Sequence, residues 1–150
     1  MTDSLLYEYA VVRYVPHVER EEFLNIGLVM MCKRQKWLKG KILLDEKRLQ
    51  ALDPNLNIEP LKAQCALFEK EGVPFSNIPI EERYRWLTAA KSAILQTSPS
   101  HPGIIMRMDH GDVINKREQG CFHGDKNEKE TVSNLLLDEF NRLFSELVCV

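Results

Sequence analysis

The first 45 positions carry their apolar residues in short runs of strand character. Leu6 to Val15 is rich in tyrosine and valine, which suit a pleated surface. Both of its parities are apolar: Tyr7, Tyr9 and Val11 on one, Ala10, Val12 and Tyr14 on the other. That pattern predicts a central strand covered on both faces. Pro16 ends it, because proline has no N–H to donate to a ladder. Leu24 to Cys32 is a second double-sided apolar run. Lys36 to Leu44 alternates: Leu38, Ile42 and Leu44 share one face, and Trp37, Lys39 and Lys41 share the other. This predicts a half-buried strand with a wet face. Lys33-Arg34-Gln35 reads as a hairpin turn, so the three runs make an antiparallel meander.

The pattern then changes period. Asp45 is placed to cap a short helix through Leu52, and Asn57 to cap a second with Ile58, Leu61, Cys65 and Phe68 at helical spacing. Gly72 and Pro74 supply its stop. Pro79 opens a third helix, with Ile80, Tyr84, Leu87 and Ala90 on one stripe. Ser92 to Thr97 is β-compatible and predicts a fourth strand, broken by Ser98-Pro99-Ser100-His101-Pro102-Gly103. Residues 107–130 are polar without periodicity and read as a loop. From about 130 to 148, Val132, Leu135, Leu136, Phe140, Leu143, Phe144 and Leu147 form one stripe opposite Asp138, Glu139, Arg142 and Glu146, which predicts a helix.

At 150 residues the chain has the length of a single domain, 1–150. Its 44% hydrophobic and 28% charged residues are those of a globular protein, and exclude a disordered tail or a coiled-coil rod. The net charge of −2 announces neither nucleic acid nor an anionic membrane. Cys32, Cys65, Cys121 and Cys149 form no C-x-x-C pair, and Cys32 and Cys65, which sit in apolar runs, suit reduced core positions. No apolar run is long enough to span a bilayer, and Met1-Thr2-Asp3-Ser4 lacks the features of a signal peptide. The expectation is a cytoplasmic α+β domain: an antiparallel sheet of three or four strands, a helical middle, and a C-terminal helix packed on the sheet.

Two stretches resemble a known family. They are Tyr9-Ala10-Val11-Val12-Arg13-Tyr14-Val15-Pro16 and Arg20-Glu21-Glu22-Phe23-Leu24-Asn25-Ile26-Gly27-Leu28-Val29. They are similar to an R-Y-x-P strand end followed by R-x-E-F-x-N-x-G, the pattern of the bacterial family catalogued as domain of unknown function 3037. The matching residues are Arg13, Tyr14, Pro16, Arg20, Glu22, Phe23, Asn25 and Gly27. Ser98-Pro99 and the apolar helix end from Leu143 to Val148 also look similar, whereas residues 107–130 look like an insertion. The resemblance implies a bacterial cytosolic protein of unestablished activity. It also implies a partner or regulatory role, beside a HipA-like kinase.

Arg13 is the residue most in need of a reason, because a charge inside an apolar strand requires a partner. A hairpin of the first two strands brings Glu22 near it. The plain reading is a structural ion pair; the functional one is an anion- or phosphate-binding corner of Arg13, Arg20, Glu22 and Asn25. The carboxylates of the loop from His17 to Glu22 also admit acid/base work or Mg²⁺, although charge-rich loops are ordinarily just solvated. Trp37, Lys39 and Lys41 have the composition of a nucleic-acid face, or of a sheet face kept soluble by lysines. Asp109, His110, Asp112, Cys121, His123 and Asp125 are ligand types without a zinc spacing. No G-x-S-x-G, G-x-G-x-x-G or Walker pattern occurs. The sequence therefore favours a non-enzymatic interaction or regulatory module with a protein partner and no cofactor or metal. The alternatives are an enzyme or nucleotide-binding protein using the Arg13 corner, and nucleic-acid binding through Trp37.

Overall fold

In a computed structural model of the chain, residues 4–69, 77–89, 92–106 and 124–149 are described. The elements are β1 (Ser4–Tyr14), a 3₁₀ turn (Val18–Arg20), β2 (Leu24–Cys32), β3 (Trp37–Ile42), α1 (Glu46–Leu52), α2 (Ile58–Glu69), α3 (Ile80–Thr88), β4 (Leu95–Thr97), β5 (His101–Met106) and α4 (Gly124–Leu147). The α+β class, the meander and the helical middle follow the sequence pattern. Asp45 caps α1, its carboxylate accepting from the amides of Lys47 at 3.1 Å and Arg48 at 3.4 Å.

The sheet has five strands in four rows. The meander pairs β3 with β2 and β2 with β1; the far edge of β1 pairs with β4 at one end and β5 at the other. Strand β5 departs from expectation, since the sequence around Pro99 and Pro102 reads as a break. The row is in fact one line with a bulge. Val12 faces Thr97 and Tyr9 faces His101, so two residues of β1 stand against three of its neighbour. Ser98 bridges the irregularity: its amide donates to the Val11 carbonyl at 2.8 Å and its hydroxyl accepts from the Val11 amide at 2.9 Å.

Both faces of the sheet carry helices. On one, Val12, Tyr14, Val29 and Met31 pack with Leu49 of α1, Leu61, Cys65 and Phe68 of α2, and Tyr84 and Leu87 of α3. On the other, Leu5, Tyr7, Val11, Leu28, Met30 and Cys32 pack with Leu136, Phe140, Leu143 and Phe144 of α4. Each fully buried side chain of this size contributes roughly 1.5–3 kcal/mol. This second face is the one the alternation of β3 marked as wet. It is not: α4 lies across it. Helix α4 also begins at Gly124, inside the stretch read as loop, while the expectations for Gly72, Pro74 and 107–123 fall outside the described residues.

The Ser98 hydroxyl stands in for a backbone carbonyl, so Ser98→Ala should strand the buried Val11 amide. The expected loss is about 1–3 kcal/mol in urea unfolding, with an unchanged m-value.

Candidate functional site at the corner between the first two strands

The corner is shaped by a second bulge. Val12 faces Gly27, but Arg13 faces Asn25, so Ile26 is the extra residue on β2. The bulge sends Ile26 into the three-helix core and turns Asn25 to the α4 face, the face Arg13 shares. Gly27 is required beside it. A Cβ there would lie 2.8 Å from the Lys41 carbonyl oxygen and against the Ile42 side chain.

The expected Arg13–Glu22 pair does not form. Glu21 adopts a left-handed conformation (φ 55°) after the 3₁₀ turn. Glu22 is engaged by Arg20 instead, at 2.8 Å, and both side chains are exposed. Such a pair contributes at most about 1 kcal/mol. Arg13 lies flat against Phe23, its guanidinium carbon 4.2 Å from the ring centroid. Among the described residues it has no carboxylate partner; its Nε is sealed from solvent without an acceptor, whereas the Nη donors are not sealed. Asn25 has a structural task. Its Nδ2 donates to the Leu147 carbonyl at 3.1 Å, while Arg48 Nη1 donates to the Val148 carbonyl at 2.7 Å. Together they satisfy two open carbonyls at the end of α4, where a cation also meets the negative pole of the helix. The Asn25 Oδ1 is also buried without a donor, and Asn25 is the residue that faces Arg13 in the ladder. The corner thus joins Arg13, Phe23 and Asn25, and leaves Arg20 with Glu22 on the loop outside.

Trp37, Lys39 and Lys41 share the α4 face of β3, as their alternation predicts. Trp37 is half-buried and meets Phe140 edge-on, with ring centroids 6.2 Å apart. Lys39 lies over the Phe140 ring at 5.6 Å and Lys41 over Phe144 at 4.8 Å. These three side chains form the margin of the α4 contact, so the indole is not a free stacking platform.

A polar chain that the sequence did not single out runs from β1 to α4. The Tyr7 hydroxyl donates to Glu139 at 2.8 Å, and Arg142 reaches Glu139 and Glu146. Hydrogen bonding from Arg142 holds the Glu139 carboxyl below its usual range. Burial, then the Glu139 carboxylate, pushes Tyr7 up to about 12. Burial raises Tyr84 to about 12 as well. Tyr14, buried and bonded to Asp53 at 2.7 Å, lies above the usual phenol range. The i, i+4 spacing of Arg142 and Glu146 was readable; the partner of Glu139 on a strand 132 positions away was not. Among the described residues no group of three His, Cys, Asp or Glu side chains is placed to hold a metal ion. Likewise, no helix is long and apolar enough to cross a membrane.

The fold and the corner define an α+β domain built on a bulged N-terminal hairpin. The chain belongs to the family described as "Protein of unknown function (DUF3037)", whose model matches residues 9–111. The match takes in the whole corner but does not extend to α4. No curated protein and no solved structure matches the chain.

Two predictions follow from this chemistry. Glu22→Gln should change the unfolding free energy in urea by less than about 0.5 kcal/mol, because its ion pair with Arg20 is exposed. The three tyrosines have folded pKa values raised above the ordinary 10, so the stability they contribute as neutral phenols is complete below pH 10. It is lost as pH rises from 10 through about 12 for Tyr7 and Tyr84, and at higher pH for Tyr14. Denaturation midpoints should be level from pH 8 to 10 and then fall, less steeply in Tyr7→Phe.

Proposed function

We propose that this chain is a non-enzymatic protein-interaction module of the bacterial cytoplasm that docks a partner through the Arg13–Phe23 corner. One observation supports the reading above the others: a half-buried arginine with no carboxylate partner among the described residues, stacked on a phenylalanine that is 46% exposed. Arginine and aromatic side chains dominate binding hot spots, since they bring large area and directional charge at low entropic cost. The open Nη donors suit a carboxylate on the partner, and Phe23 suits an apolar neighbour of it. The family resemblance suggests a HipA-like kinase as that partner. The same donors also suit a phosphate, which keeps a nucleotide- or phosphate-binding reading as the second choice.

The test is co-elution of the purified chain with the HipA-like kinase of the same genome, alongside a nuclease-treated affinity pull-down from native lysate. Wild type should retain a protein in stoichiometric amount. Phe23→Ser and Arg13→Lys should release it, the second because a lysine cannot reproduce the planar fork. Melting temperatures should move little. Retention unaffected by both substitutions sinks the docking assignment. Recovery of nucleic acid alone would move the function to Trp37, Lys39 and Lys41. Calorimetric binding of inorganic phosphate or ATP that Arg13→Lys abolishes would favour the second choice.

A further inference from the structure

At the other end of β1 the three-helix face is left open. Leu6 is 68% exposed, Ile104 49% and Met106 57%. Leu6 faces Ile104 across the ladder and Ser4 faces Met106, so the three large side chains stand together on one face. Beside them runs the outer edge of β5. Its backbone polarity can be worked out from β1. Val11 exchanges its hydrogen bonds with Ser98, and the Val15 amide donates to the Ile94 carbonyl at 2.7 Å, so odd residues of β1 turn toward the fourth row. Their partners His101, Gly103 and Ile105 therefore bond β1, whereas Pro102, Ile104 and Met106 point their backbones outward. Pro102 costs the ladder nothing in that position, and it blocks the first part of the edge to any further strand. Past it, no such guard remains on Ile104 and Met106. Among the described residues, nothing but β1 bonds this strand.

We infer that this edge is the interface for a second copy of the chain, with β5 pairing antiparallel to itself about a two-fold axis at Ile105. The edge is its own complement. A rotation about Ile105 sets Ile104 of one copy opposite Met106 of the other, and the reverse. Both residues are outward-facing, so each pair exchanges two backbone hydrogen bonds, four in all by the ladder rule. On the open face Ile104 then lies against Met106 of the second copy, with a Leu6 flanking each. The result is one apolar stripe of six side chains across the axis. Residues 101–106 hold no carboxylate or ammonium group, so two copies meet without like-charge repulsion. Closed two-fold symmetry uses up both edges and ends the assembly at two copies.

Sedimentation velocity of the full chain across the micromolar range tests this, and should give a concentration-dependent species of twice the chain mass. Ile104→Glu and Met106→Glu sit on exposed positions and should each weaken the dimer at least about tenfold without changing circular dichroism. The double variant Ile104→Cys with Met106→Cys should cross-link to a dimer under oxidised glutathione, beyond any product of the exposed Cys149 in the wild-type control. A monomer at every concentration overturns the inference. So does a dimer that both glutamate variants leave intact, or one in which the double cysteine variant fails to cross-link. None of these results bears on the Arg13 corner, whose test is retention of a different protein.

Discussion

The constraint on which the structure depends is the enclosure of the second half of β1. From Glu8 to Tyr14 the strand has a row on each side, and Val11, Val12 and Tyr14 are buried under helices on its two faces, so the backbone there must be satisfied by neighbouring rows. Two consequences follow. The fourth row must keep bonding β1 through its irregular middle, which is why a serine hydroxyl takes the Val11 amide at the bulge. And in this enclosed half a charged residue can be tolerated only near the strand end, whereas Glu8 stands where the face is open. Arg13 occurs there, one residue before the last, where Phe23 covers its flat face and leaves the Nη donors to water.

The same enclosure gives the family motif a physical meaning. Its residues are mostly devices for turning the chain at one corner and fastening it. Gly27 admits the close passage of β3, and Glu21 makes the left-handed turn that sends Glu22 outward to Arg20. Asn25, turned by the bulge, reaches a carbonyl 122 positions later in the chain and fixes the end of α4. Against that background Arg13 and Phe23 differ from their neighbours. Asn25, Glu22 and Gly27 each have an internal partner or a steric reason. The stacked pair has only itself, and that distinction puts the docking assignment on it rather than on the motif as a whole.

The elements were largely legible because local signals and burial agree. Asp45 caps α1, Pro79 precedes α3, and the two double-sided runs became the two inner strands of the sheet. What the sequence hid are matters of register and coverage. Strand β5 was hidden because Pro102 and Gly103 look like breakers. Proline is harmless with its nitrogen outward, and the Tyr7 ring lies over Gly103 where a side chain would otherwise be. The Arg13–Glu22 pair was misread because the left-handed turn at Glu21, which no hydropathy pattern marks, sends Glu22 outward to Arg20; the extra residue in β2 puts Asn25 across from Arg13 instead. Alternation in β3 sorted Trp37, Lys39 and Lys41 onto one face correctly, but alternation says nothing of what covers a face. Lysines can lie along aromatic rings with their ammonium groups still in water, so a lysine-bearing face is compatible with a helix packed on it.

The two surfaces assigned here differ in chemistry and in place, which lets them operate at once. Arg13 lies on the α4 face of β1, whereas Leu6 lies on the three-helix face near the other end. Seven residues of strand separate them, roughly 23 Å at the usual rise. A corner built on a charged fork and one aromatic ring selects its partner by electrostatic fit as much as by area. An uncharged strand edge with three apolar side chains has no such selectivity, and its safest occupant is its own copy, which buries it symmetrically and leaves no open β5 edge for further strands. Self-pairing at one end of β1 would thus protect the chain from unspecific association. It would also present two Arg13–Phe23 corners on one particle, and a partner that is itself two-fold symmetric would be held by both.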